Sequence, residues 1–232
     1  MTVAPWQARY LQRMGIDLWR RRELSDASAQ TPVVSDGVTT EAADQRAGDW
    51  QALRQTVSAC RLCGLCETRQ NTVFGVGSDS ADLLLIGEAP GAEEDRRGEP
   101  FVGAAGKLLD NMLRAIDLDR QRVFIANVLK CRPPGNRDPK PEEIRSCMPY
   151  LGTQIEHLQP RVILALGKVS AQALLESTAP LKAMREQWHQ VGALRVPMLV
   201  TFHPAYLLRR PEDKAKAWRD LCQVRDLLGG AA

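Results

Sequence analysis

The sequence predicts an α/β protein, a three-layer α/β/α sandwich on a mainly parallel four-stranded sheet. Three observations carry this expectation. Four short, nearly all-apolar runs lie between residues 82 and 202, and such runs suit strands buried on both faces. Stretches with helical spacing of apolar residues lie between and after them, and this alternation favours a parallel sheet covered by helices. At 232 residues, 44% hydrophobic and 25% charged, the chain is long enough for one full core plus an appendage.

In chain order, residues 1–24 form an N-terminal peptide with large apolar and basic residues between Ala8 and Glu23. Residues 25–48 are small and polar without sustained periodicity, and are expected to be a flexible linker. The compact domain is expected over 49–232. Its strands are Asp82 to Gly87 (DLLLIG), Val123 to Leu129 (VFIANVL), Val162 to Gly167 (VILALG) and Val196 to Phe202 (VPMLVTF). The first helix, Ala104 to Ile116, places Leu108, Leu109, Met112, Leu113 and Ile116 on one face. A second, Pro141 to Leu158, has proline in its first turn; a third, Lys168 to Leu175, follows a glycine. The last, Glu212 to Leu228, ends at Gly229 and Gly230.

The formal net charge of +3 is too mild to indicate nucleic acid by itself, so any such argument rests on where the arginines fall. No apolar run approaches the roughly 18 residues that span a bilayer, and the charged, aromatic N-terminus is unlike a signal peptide. A cytoplasmic protein is expected. Its six cysteines are then metal ligands or inert thiols rather than disulfides.

Ligands of such sheets bind outside the carboxyl ends of the strands. That rule selects Gly87-Glu88-Ala89-Pro90-Gly91 after the first strand, Asn127 at the end of the second, and His203-Pro204 after the fourth. A carboxylate, an amide and an imidazole are expected on one rim.

Cys60 and Cys63 form a C-x-x-C pair, while Cys131 and Cys147 flank the proline-rich loop RPPGNRDPKP. Four thiolates from two segments can hold either zinc or an iron–sulfur cluster. Cys66 extends the pair to C-x-x-C-x-x-C, so three of these plus one later cysteine is a second possible ligand set. Cys222, beside Leu221 on the final helix, is expected to be a core thiol.

The motifs GEAPG at Gly87 to Gly91, the acidic Glu93-Glu94-Asp95, PFVG at Pro100 to Gly103, NVLKCRPP at Asn127 to Pro134 and HPAYLL at His203 to Leu208 closely resemble family 4 uracil-DNA glycosylases. The resemblance covers roughly Trp50 to Leu228. It implies hydrolysis of the N-glycosidic bond of deoxyuridine in DNA, releasing uracil to start base excision repair. It also implies a structural 4Fe-4S cluster on Cys60, Cys63, Cys131 and Cys147, with Cys66 a bystander, and a protein that acts as a monomer. Some relatives in the superfamily carry an extra histidine-bearing loop and are trapped on the abasic site; no insertion of that kind separates Cys131 from Cys147, so a turning-over hydrolase is expected.

A flipped base needs a stacking platform and a hydrogen-bonding edge. The resemblance gives these roles to Phe101 and Asn127, with Glu88, Ala89, Pro90 and Gly91 in the same site, and sets His203 to donate to uracil O2 as charge builds there. The best-studied relatives position water with an aspartate where this chain has Ala89, which leaves Glu88 as the candidate for orienting it. Glu94 is expected to approach uracil C5 and exclude the thymine methyl. DNA contacts are expected from Arg132, Arg137, Arg209 and Arg210, beside Lys140, with Leu207 and Leu208 as an apolar wedge.

A competing reading of a different class is a non-catalytic iron–sulfur DNA-binding or redox protein on the same fold. For residues 10–22, including Tyr10, Leu11, Met14, Ile16, Leu18 and Trp19, two readings stand: packing on the domain, or a recognition peptide on a flexible leash. Their LGI…W…RR-like pattern is similar to the N-terminal peptide of the psi subunit of the bacterial replicative clamp loader, which implies a clamp-loader contact anchored by Trp19.

Overall fold

The computed structural model describes residues 40–229. What was expected of the N-terminal peptide and of residues 25–39 lies outside the described residues. Helix α1, Thr40–Ser58, overlaps the stretch read as linker up to residue 48. Its Thr-Glu-Ala-Ala-Asp-Gln-Arg sequence is rich in helix formers but lacks an apolar stripe, so helical periodicity gave no signal there.

The sheet has six strands in the order β1-β3-β2-β4-β6-β5. Its centre is the expected parallel set: β2 Leu83–Gly87, β3 Val123–Asn127, β4 Val162–Leu166 and β6 Val196–Thr201. The expected count of four is corrected by two antiparallel edge strands, β1 Val76–Gly77 on β3 and β5 His189–Val191 on β6. At two and three residues they are too short to show a period of two.

Every residue of β2, β3 and β4 is buried, which is why these runs are continuously apolar. Their side chains alternate between two cores. Leu84 and Ile86 join Trp50, Val57, Leu151, Ile155 and Leu174 on one face, under α1, α4 (Pro141–Leu158) and α5 (Lys168–Leu175). Leu83 and Leu85 join Leu109, Leu113, Leu221 and Val224 on the other, under α3 (Ala104–Arg114) and α8 (Lys214–Leu227). These are the three layers predicted. Three short helices fall in connections: α2 Ala92–Arg97, α6 Leu181–Met184 and α7 Pro204–Arg209. The final helix, expected from Glu212, starts as a 3-10 turn at Pro211–Asp213 before α8.

The chain passes from β2 to β3 on one side and returns to β4 on the other, so the order of winding reverses between β2 and β4. Loops leaving the carboxyl ends diverge there and open a crevice. Among the described residues, no helix is long and apolar enough to cross a membrane.

Candidate active site

Beyond the carboxyl ends of β2, β3 and β6 lies a cavity of about 500 Å³. Glu88, Ala89, Pro90, Gly91, Glu94, Phe101, Asn127 and His203 all line it. Gly87 and Asn127 are register partners, and a Cβ at Gly87 would lie 2.3 Å from Asn127 Oδ1 and 2.7 Å from the Phe101 ring. Only glycine lets the amide and the ring close over the end of β2.

Asn127 Oδ1 is buried without a hydrogen-bond partner, the one such side-chain atom among the described residues. An orphaned buried acceptor costs about 1–3 kcal/mol, a debt that a ligand N–H entering the cavity cancels. Below it, the Asn127 carbonyl accepts from the buried Lys130 Nζ at 2.9 Å, and Lys130 also donates to Gln154 Oε1 at 2.6 Å. Burial among these neutral oxygens lowers the Lys130 amine to about 8.

His203 caps α7: its Nδ1 accepts the Ala205 amide at 3.1 Å, which leaves the ring proton on Nε2. Burial and then the Arg209 cation lower its pKa to about 4, against a smaller pull from Glu94, so the imidazole is a neutral donor at pH 7. Its ring stacks on Phe101 at 5.5 Å between centroids and 29° between planes. Gly167, at φ +98, makes room: a Cβ there would lie 3.0 Å from His203 Cβ. Burial, then the nearby Asp138 carboxylate, raises Glu88 above the usual carboxylate range.

Phe101 sits in the left-handed region at φ +54. Its loop is held by Glu94 Oε1, which accepts the Val102 and Gly103 amides at 3.0 and 3.2 Å. Glu94 is thus already engaged in fixing the platform loop, a role that sequence reasoning did not give it. Arg120 holds the other side, donating to the carbonyls of Pro100 and Phe101. It was not foreseen, because an arginine in the short, mixed-charge DRQR stretch carries no pattern.

On the far side of Lys130, Cys60, Cys63, Cys131 and Cys147 line a common void with Cys66. Arg69 Nη1 donates to Cys131 Sγ at 3.1 Å and Nη2 to the Cys60 carbonyl at 2.8 Å, while the Lys130 amide donates to Cys147 Sγ at 3.4 Å. Among the described residues, no three His, Cys, Asp or Glu side chains converge tightly enough to hold a single metal ion. Burial pushes the Cys131 thiol up to about 11, against the opposing pull of the Arg69 guanidinium. Thiols gathered around one void, with N–H donors aimed at sulfur, form a donor set of the kind that holds a thiolate-bound metal centre. Cys222 is half-buried rather than a core thiol.

The expected DNA face is only partly assembled. Arg209 and Arg137 line the cavity mouth, but Arg137 makes a two-pronged pair with Glu143 at 2.6 and 2.9 Å. Arg132 donates to Asn136 Oδ1 at 2.7 Å, and Arg210 pairs with Glu212 at 3.4 Å. Leu207 is corrected outright: at 1% exposure it belongs to the core, while Leu208 is 45% exposed. Helix α7, started by the His203 cap, turns Pro204 and Leu207 inward on the same face and leaves Leu208 outside.

A model of the uracil DNA glycosylase superfamily matches residues 74–222. The type-4 uracil-DNA glycosylase of Archaeoglobus fulgidus is 43% identical, over 75% of this chain and 90% of its own length. That of Pyrobaculum aerophilum is 42% identical, over 75% and 91%, and that of Sulfurisphaera tokodaii 38%, over 76% and 84%. The matched span covers more than half of the chain, and the chain belongs to the uracil DNA glycosylase superfamily.

Proposed function

We propose that this protein is a type-4 uracil-DNA glycosylase, a monofunctional hydrolase that releases uracil from DNA, leaves an abasic site and starts base excision repair. The observation that carries the reading is the pairing of a buried, unsatisfied Asn127 Oδ1 with a neutral His203 donor in one cavity. The flipped base stacks on Phe101. Asn127 accepts from uracil N3–H and donates to O4, a pattern that cytosine presents reversed. His203 Nε2–H donates to O2 as negative charge collects there, a term worth roughly 3–4 kcal/mol for a well-placed donor.

Ala89 offers no carboxylate, so Glu88 orients the attacking water while bond breaking runs ahead of attack. Burial, with Asp138 nearby, raises its pKa, and a dissociative path does not demand the strong base that an early attack would. Glu94, which holds the platform loop through Oε1 and lines the cavity, approaches uracil C5 and excludes the thymine methyl.

Cys60, Cys63, Cys131 and Cys147 would hold a 4Fe-4S cluster, which when bound supplies a structural cross-link and no chemistry on the base. Arg69 compensates its thiolate charge and ties the Cys60 turn to Cys131. DNA runs across the mouth beside Arg209, with Arg132, Arg137 and Arg210 contacting phosphate after exchanging their present partners, and Leu208 taking the wedge role. The protein works in the cytoplasm as a monomer.

Residues 10–22 dock on a clamp-loader subunit through Trp19, which raises the enzyme's local concentration at replication forks. Pull-down with the full chain, Trp19→Ala and a chain starting at Asp49 tests this: equal recovery with all three, or none with any, eliminates the tether. The glycosylase reading is tested by incubating the protein with uracil-containing oligonucleotides, as U:G, U:A and single strands. Alkali-labile breaks at the uracil position are expected, and their absence on all three substrates overturns the reading.

A further inference from the structure

The loop that presents Phe101 makes a turn its sequence does not favour. A phenylalanine at φ +54 is disfavoured sterically, and it persists only where the surroundings over-determine it. Gly106 helps by leaving space, since a Cβ there would lie 1.6 Å from the Phe101 carbonyl oxygen. That vacancy permits the conformation without enforcing it. Enforcement comes from hydrogen bonds on both sides: Glu94 takes the two amides that follow Phe101, and Arg120 takes the two carbonyls at Pro100 and Phe101.

Arg120 stands outside the cavity, between α3 and β3, with its side chain about three-quarters buried. Its Nε donates to Asp110 Oδ1 on α3 at 2.6 Å, its Nη1 to the Pro100 carbonyl at 3.1 Å, and its Nη2 to the Phe101 carbonyl. One rigid, planar guanidinium thus joins three acceptors, which a lysine ammonium on a flexible stem does not reproduce. Asp110 fixes the plane from a helix, so the fork is aimed before the loop meets it.

We propose that Arg120 is a positioning residue for the stacking platform: it locks the Phe101 peptide in the left-handed turn that sets the ring against His203 and over Gly87. Arg120 touches neither base nor DNA; it acts through Phe101. Released from the fork, the peptide relaxes to negative φ and swings the ring off His203, which opens the platform and leaves the flipped base without a stacking surface. The inference rests on the reading of Phe101 as that platform.

The test is a double-mutant cycle. Arg120→Met and Arg120→Lys are made in the wild type and in Phe101→Ala, with single-turnover uracil excision as the readout and the thermal midpoint as folding control. Arg120→Met is expected to slow excision roughly 10- to 100-fold, the scale of an ångström-level misplacement, with Arg120→Lys recovering part of the loss. In the Phe101→Ala background neither substitution should slow excision further. Full activity of Phe101→Ala overturns the platform reading itself. A slow Phe101→Ala enzyme that Arg120→Met slows again by the same factor overturns the Arg120 inference alone, as does wild-type excision by Arg120→Met. If Arg120→Met melts below the assay temperature, Arg120→Lys and Asp110→Asn complete the same cycle.

Discussion

The Ala205 amide donates to Nδ1 of His203, so the imidazole enters the cavity with its proton on Nε2 and without charge. Burial favours this neutral form and lowers the pKa from 6.5 to about 4. The sign for stability follows: as pH falls from 6.5 toward 4 the unfolded chain takes a proton that the folded chain refuses, and stability is lost across that window. The ring resonances of His203 should hold still from neutral pH down through the usual histidine range and move only near pH 4. A midpoint near 6.5 contradicts the assignment of a neutral donor. Glu88 runs the other way. Its raised pKa means that the folded state holds its proton at pH values where the unfolded chain has released it, so the buried carboxylate costs stability at neutral pH. Glu88→Gln should raise the thermal midpoint at pH 7, lose that gain in acid where both states are protonated, and slow excision at both. An unchanged midpoint at pH 7 contradicts the burial argument, and an unchanged rate contradicts its role toward water.

At the scale of elements, α7 shows what the sequence could and could not say. Ala-Tyr-Leu-Leu-Arg contains two adjacent leucines, and which one faces inward depends on the helix phase, which only the cap at His203 and Pro204 in the first turn set. Leu207→Ala should therefore cost about 2–5 kcal/mol of stability, as for a buried leucine truncated to a cavity. Leu208→Ala should leave stability within about 0.5 kcal/mol and weaken DNA binding. Chemical denaturation and binding anisotropy of the two variants separate the roles, and the reverse assignment contradicts the helix phase. The four central strands were legible because burial on both faces writes a continuous apolar run. The strand-end rule then picked out Glu88, Asn127 and His203 before any resemblance was invoked. The edge strands, α2 and the start of α1 were not legible, being too short or too weakly amphipathic to carry a period. Arg120 and the engagement of Glu94 were hidden for another reason: they bind backbone atoms of a loop whose conformation the residue types do not encode.

Across the whole molecule, the base cavity and the cysteine site meet through Lys130, whose side chain holds the Asn127 carbonyl while its own amide donates to Cys147 Sγ. The cysteines bring the turn after α1, the loop after β3 and α4 around one void, so that a bound cluster would brace one wall of the cavity. Cys131→Ala should abolish broad visible absorbance, lower bound iron and reduce the thermal midpoint together; a colourless wild-type protein carrying zinc contradicts the iron assignment. The central claim is that Asn127 and His203 together read uracil in one pocket. Its most direct test compares single-turnover release of uracil and of cytosine from otherwise identical oligonucleotides by the wild type, Asn127→Ala and His203→Ala. The account predicts uracil release alone by the wild type, and a fall of roughly 100- to 1000-fold for His203→Ala, the scale of one lost donor to a developing oxyanion. Asn127→Ala should also be slow and should narrow the gap between the two bases. Wild-type rates in either variant, or comparable release of cytosine by the unmodified protein, would contradict it.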